Sequence, residues 1–276
     1  MRTILYQFAS FTLLLALCLM FAPVRLVTGD RTIHSSDLDV TISPTTVVDR
    51  PFAELCRDDP MAALTVSLQR YRRDVEGYTC TFIKQERIND KLREREVIHC
   101  DFRESPFTVR MEWLEGVGRA KVMLYPAGDR DDQLYVVPSN KLARAAIPYA
   151  RRNLSDASVR AASRYPPNEF GVANAVRRLI QDWQIAKDRG MLRTRYDGIH
   201  PIAELGNRPC HVLHRDCVVP EHDNMTAVTV YFDVETLLQA GAVLMTGEEL
   251  LATYYFKDLV LNPKLDSALF TVERLK

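Results

Sequence analysis

The stretch from Tyr78 to Trp113 alternates side-chain character so strictly that it admits little but extended strands. Tyr78-Thr79-Cys80-Thr81-Phe82-Ile83-Lys84-Gln85-Glu86-Arg87 runs to a turn at Asn89-Asp90. Leu92 to Phe102 returns from that turn, and Phe107-Thr108-Val109-Arg110-Met111-Glu112-Trp113 follows. A period of two puts Tyr78, Cys80 and Phe82 on one face, and does the same for Phe107, Val109, Met111 and Trp113. These faces are large, aromatic and soft, which suits a surface that holds something greasy as well as it suits a core. The pairing has two readings. A three-residue loop, Asn89 to Lys91, sets Cys80 opposite Cys100, whereas a two-residue Asn89-Asp90 turn sets Cys80 opposite His99. The face pattern favours the first, because Leu92, Ile98, Cys100 and Phe102 match the even residues of the first strand. Cys80 and Cys100 are then candidates for a disulfide, with two reduced buried thiols as the alternative.

Length allows one or two domains. The 36 basic residues balance the 36 acidic ones, so no whole-molecule field draws the chain to nucleic acid. Arg2 and the nearly uncharged run Ile4 to Pro23 read as an export signal, with Val27-Thr28-Gly29 ahead of a cleavage point at Asp30. The same run is long enough to stay as a membrane anchor. Either way the expected location is the periplasm or cell envelope, with anchoring to the inner membrane as one form of it. Residues 1–29 are thus a signal or anchor, 30–57 a flexible tether, and 58–276 the folded domain. Five cysteines lie beyond the signal: Cys56, Cys80, Cys100, Cys210 and Cys217.

A helix is expected from Asp59, which can cap it, through Leu64, Leu68, Tyr71 and Val75 to Gly77. Short strands follow at Ala120 to Tyr125 and Gln133 to Val137, in the manner of an antiparallel meander. Ser139 to Tyr165, studded with Lys141, Arg144, Arg151, Arg152, Arg160 and Arg164, reads as an irregular or weakly helical covering loop, with a basic patch that meets lipid headgroups as the alternative. A second helix carries Val172, Val176, Leu179, Ile180 and Trp183. Strands resume at His200 to Leu205, Pro209 to Val219, Val228 to Asp233, Ala240 to Met245 and Leu251 to Leu261.

Chemistry-bearing clusters are weak. Cys210-His211-x-x-His214-x-x-Cys217 resembles zinc ligands, but a strand turns Cys210, His214 and Asp216 one way and His211 and Cys217 the other. Lys84, Glu86 and Arg87 with Glu94 and Glu96 read as cross-strand ion pairs on a solvated face, not as a catalytic pair. Asp129, Asp131 and Asp132 lack the glycine and distal glutamate of a calcium loop. Nucleophile elbows, phosphate loops and dinucleotide fingerprints are missing. The expectation is no enzyme, no cofactor and no metal.

Three segments carry a family resemblance. They are Tyr78 to Asn89, Ser105-Pro106-Phe107-Thr108-Val109 with Trp113, and Arg164-Tyr165-Pro166 through Glu169-Phe170-Gly171. On these the chain resembles the DUF1571 family of exported bacterial proteins of unknown function, over about residues 58–276. That family in turn is similar to the LolA/LolB/RseB group, on Val230-Tyr231-Phe232-Asp233, Tyr254-Tyr255-Phe256-Lys257-Asp258 and the Asn262 to Phe270 ending. The resemblance implies an α+β fold: a strongly curved antiparallel sheet, an incomplete barrel, with helices covering the concave face and an apolar hollow. Tyr78, Phe82, Met111, Trp113, Tyr254 and Phe256 are the candidates to line that hollow, with plain core packing as the alternative for each. The implied partner is a lipid or acylated polypeptide. The implied rival is an envelope sensor or interaction module of the RseB type without bound lipid.

Overall fold

The computed structural model describes residues 50–127 and 132–275. The expected export signal, most of the tether, and Asp129 and Asp131 lie outside them. Two helices, α1 (Phe52–Asp58) and α2 (Pro60–Asp74), precede six strands: β1 (Gly77–Ile88), β2 (Lys91–Leu92), β3 (Glu96–Arg103), β4 (Thr108–Glu115), β5 (Ala120–Pro126) and β6 (Gln133–Pro138). Then come α3 (Lys141–Ala146), β7 (Ala150–Asn153), α4 (Ala157–Arg160) and α5 (Val172–Asp188). Five strands complete the fold: β8 (Leu192–Ile202), β9 (Arg208–Cys217), β10 (Ala227–Asp233), β11 (Gln239–Thr246) and β12 (Glu249–Leu261). All pair antiparallel in one open sheet ordered β7-β6-β5-β4-β3-β1-β12-β11-β10-β9-β8, with β2 paired to β1. The expected fold class, an unclosed antiparallel sheet with a few helices, is what the chain adopts.

The first hairpin resolves the register question in an unforeseen way. Asn89 and Asp90 both take positive φ, 52° and 60°, and Ile88 pairs with Lys91, so the turn has two residues and not three. Yet Cys80 still faces Cys100. The frame slips by one residue between Arg87↔Leu92 and Lys84↔Glu96. Residues 93–95 take up the slip as a bulge. The Gln85 side chain closes it, with Nε2 donating to Arg93 O at 2.9 Å. Both cysteines are buried free thiols.

One face of the sheet carries α1, α2 and α5. Tyr78, Phe82, Ile98, Phe102, Val109 and Phe256 from the strands pack there with Leu64 and Leu68 of α2 and Val176 and Trp183 of α5. α2 forms as expected: Asp59 accepts from Ala62 N at 3.1 Å and Pro60 occupies the first turn. The tether expected over 30–57 ends sooner. Phe52, Leu55 and Cys56 recur at helical spacing, and their burial in α1 brings the folded domain upstream of residue 58. The strand expected at His200 begins at Leu192; its alternation Leu192, Thr194, Tyr196 is muted because β8 is a half-exposed edge. The Ser139–Tyr165 segment is more regular than expected, since β7 adds an edge strand to β6.

The opposite face has two smaller clusters. Ile83, Cys210, Val212 and Tyr255 lie under Ile202 and Leu205, while Leu124, Tyr135 and Val137 lie under Phe270 and Leu275 of the C-terminal segment. Trp183 is among the largest wholly buried side chains, and Arg215 holds its guanidinium 5.9 Å from the ring while pairing with Glu221. Trp183→Ala should therefore cost about 3–5 kcal/mol of stability, read as a lower urea midpoint.

Candidate functional site

The six candidate residues come from three strands, β1, β4 and β12, with β3 lying between β4 and β1, and share the helix-bearing face. Phe82 is opposite Ile98 on β3 and Phe256 on β12, and Ile98 is opposite Trp113 on β4. Met111 pairs with Cys100, which pairs with Cys80. Phe82 is the hub. Its ring is 5.2 Å from Phe256, 6.2 Å from a parallel Tyr254, and 5.1 Å edge-on from Phe170. Tyr78 stacks on Phe102 at 4.7 Å and meets Phe256 edge-on at 6.5 Å. Tyr78, Phe82, Met111 and Phe256 are buried, whereas Trp113 and Tyr254 are half-buried at the margin of the cluster. The sequence reading omitted Phe170, although its motif lies between the covering loop and α5.

Polar groups edge the aromatic cluster. Lys84 and Glu86 continue the even face of β1 and are buried, so the solvated ladder expected for them is incorrect for this pair. The alternation that places Phe82 inward places them inward too. The Glu86 carboxylate accepts from Lys84 Nζ at 3.0 Å, the Ser163 hydroxyl at 3.1 Å, the Arg164 backbone N–H at 3.3 Å and the Tyr254 hydroxyl at 2.8 Å. Lys84 also donates to Ser163 Oγ at 3.2 Å and lies 3.7 Å from Glu96, which accepts from Trp113 Nε1 at 2.6 Å. One chain of hydrogen bonds, completed by the Lys84–Glu96 ion pair, therefore runs from Trp113 through Glu96, Lys84 and Glu86 to Tyr254. Burial first, and the Glu86 carboxylate second, raise the Tyr254 phenol well above its ordinary value, so it remains a donor.

This chain of bonds fastens the segment after β7. Ser163 and Arg164 bond to it directly, while Arg93, in the bulge, donates to Ala161 O at 2.9 Å and Ala162 O at 3.1 Å. Arg164 pairs with Asp223 at 2.7 Å, and Arg178 of α5 stacks 4.0 Å from the Tyr165 ring. Tyr165 in turn lies 5.7 Å from Tyr254. The cover is thus held by these polar contacts together with Leu154 and Val159, which pack against the core.

The other clusters do not converge. Cys210 packs in the outer cluster and Cys217 against the inner one. His211 bonds Tyr196 at 2.8 Å, and His214 bonds Thr229 at 2.9 Å and Asp216 at 3.0 Å. Burial pushes the Cys210 thiol up to about 12 and the Cys217 thiol up to about 11, which keeps both protonated. Glu86 is saturated by donors and has no free geometry for general base work.

Removing the carboxylate charge tests the fastening. Glu86→Gln leaves the buried Lys84 with only the more distant Glu96, 3.7 Å away, as counter-charge and should cost up to about 3–5 kcal/mol. Trypsin should then cut faster at Arg160 and Arg164. Lys84→Met combined with Glu86→Leu should recover most of the stability but not the protection of the cover, read by urea melts beside timed digests.

A comparison with the curated proteins finds none that matches. Among solved structures the fold is similar to MucB at 15% identity and a TM-score of 0.43, covering 76% of this chain but only 63% of MucB. It is similar to the lipoprotein LppX of Mycobacterium tuberculosis at 10% identity and a TM-score of 0.41, covering 75% and 98%. It is also similar to a LolA superfamily protein from Nitrosomonas europaea at 10% identity and a TM-score of 0.33, covering 76% and 98%. The model of one family, described as a protein of unknown function (DUF1571), matches residues 75–274, and the chain belongs to that family.

Proposed function

We propose that this protein is a non-enzymatic binding protein of the cell envelope, holding a lipid or a lipid-modified polypeptide against the helix-bearing face of its sheet. That face is then the concave one. The observation that carries the reading is the contrast between the Phe82 row and its cover. The row is apolar and continuous across four strands, from Trp113 through Ile98 and Phe82 to Phe256, while the segment over it is bonded through Ser163, Arg164 and the carbonyls of Ala161 and Ala162. Polar fastenings exchange for water at small net cost. The aromatic surface beneath them gains about 0.8 kcal/mol for each methylene it takes out of water. Lifting the cover and turning Phe82, Phe170 and Tyr254 aside would admit an acyl chain where those rings now touch.

One observation favours a second reading, an interaction module that pairs with a partner's peptide. β8 is an eleven-residue edge strand, and such an edge can accept an added strand. Its exposed Arg193 and Arg195 and its irregularity near Tyr196 work against casual pairing.

Expression of the full chain followed by native mass spectrometry and lipid extraction separates the two. The carrier reading expects a bound acyl species, and saturable uptake of a dansylated fatty acid that is faster in Tyr254→Phe, which loses its bond to Glu86. An empty protein that takes up no probe, even as Tyr254→Phe, would sink it. A co-purified polypeptide without lipid would support the interaction module.

A further inference from the structure

One end of the sheet presents apolar side chains to solvent beside cations that have no acidic partner among the described residues. The β4–β5 turn and the link from β6 to α3 are joined there. Ser139 N donates to Arg119 O at 2.9 Å, the Ser139 hydroxyl donates to Gly118 O at 2.6 Å, and Ala120 pairs with Pro138. On these two segments Leu114 is 53% exposed, Val117 42%, Leu142 83% and Ile147 56%. Beside them lie Arg119, Lys141 and Arg144, while Arg151 and Arg152 follow on β7 opposite Tyr135 and Leu134, further from the tip. None of the three tip cations has an acidic partner among the described residues. Neighbouring acids are already engaged, Glu115 with Arg95 at 3.8 Å and Glu112 with Arg110 at 3.0 Å. From residue 133 to residue 155 the chain has no Asp or Glu, although its overall charge is zero. Asp132 and Asp156 stand at the far end of the β6–β7 pair, away from α3.

We propose that this tip docks on an anionic phospholipid surface, with Leu142 and Ile147 entering the headgroup boundary and Arg119, Lys141 and Arg144 meeting lipid phosphates. Charge complementarity selects the occupant. A nucleic acid would match the cations but leave Leu142 in water, and an apolar protein groove would match Leu142 but strand the cations. Anionic lipid offers both a negative surface and an apolar layer below it. Leu114 directly follows Trp113, whose carbonyl accepts from Lys121 Nζ at 2.7 Å, so the docked tip brings the Trp113 end of the aromatic row to the bilayer. Docking does not depend on whether a lipid is carried inside, and it fails or holds independently of the uptake measurement.

The test places an indole at the tip of the full chain as Leu142→Trp, with the unsubstituted protein correcting for Trp113 and Trp183. Vesicles of phosphatidylglycerol and phosphatidylcholine carry bromine high on the acyl chain. The introduced indole should be quenched on these vesicles and spared on pure phosphatidylcholine, and 1 M salt should relieve the quenching. Adding Lys141→Glu and Arg144→Glu should raise the lipid needed for half-quenching at least tenfold, since each cation contributes about fivefold to binding an anionic surface. Val260→Trp, exposed on another part of the sheet, should stay unquenched. An unquenched indole at position 142 overturns the proposal and turns the patch toward an acidic protein partner. Equal quenching on neutral vesicles, or of the Val260→Trp indole, also overturns it.

Discussion

The parity of β1 governs the rest of the structure. This strand lies at the middle of the sheet, paired with β3 on one side and β12 on the other. Whichever residues it turns toward the helices must be matched by both neighbours. The tight Asn89-Asp90 turn, taken alone, would carry β3 past β1 in the wrong frame and move Ile98, Cys100 and Phe102 to the outer face. One surplus residue among Arg93, Glu94 and Arg95 restores the frame. The same bulge brings Arg93 to the carbonyls of the cover, so the device that corrects the register also helps secure the roof.

Much of this was legible because strand alternation is a strong signal on a half-buried sheet. It gives one face to Tyr78 and Phe82 and one face to Met111 and Trp113, the antiparallel class, and the opposed facing of Cys210 and His211; that the first two faces are the same is implied by the family resemblance. It failed in two physically distinct ways. Charge alone points Lys84 and Glu86 to solvent, although their even numbers continue the face of Phe82. The pairing of those two charges with Ser163 depends on a contact across 77 residues that no local pattern encodes. β8 was truncated because an edge strand, wet on much of its surface, keeps only a faint period. α1 was missed because seven residues give a helical repeat barely two turns in which to appear. Which residues would meet a ligand was less legible still, since a lining ring and a core ring have the same composition.

A buried ion pair beside an aromatic row is costly to build and not obviously stabilising relative to an apolar pair. Its value here is positional. Glu86 fixes where the Tyr254 hydroxyl points and where the chain resumes after α4, and Lys84 links it to Glu96 and thus to the Trp113 indole. Apolar residues of similar size would fill the volume but would not specify which backbone segment lies across it. The aromatic contacts below are broad and exchangeable, so precision comes from the polar rim.

The place of β12 in the sheet has a consequence for how the chain reaches this state. Strands β1 and β3 to β7 form one continuous half, β8 to β12 form the other, and the β1–β12 ladder is the seam between them. Tyr78 is opposite Leu261, so the seam cannot close until the chain through residue 261 is available. The cluster under Phe270 and Leu275 waits longer still. Pairings this distant in sequence carry a heavy loop-closure cost and fold slowly. A chain emerging from the ribosome would stay unfinished until its last strand arrived, a delay that keeps a polypeptide threadable through a narrow pore.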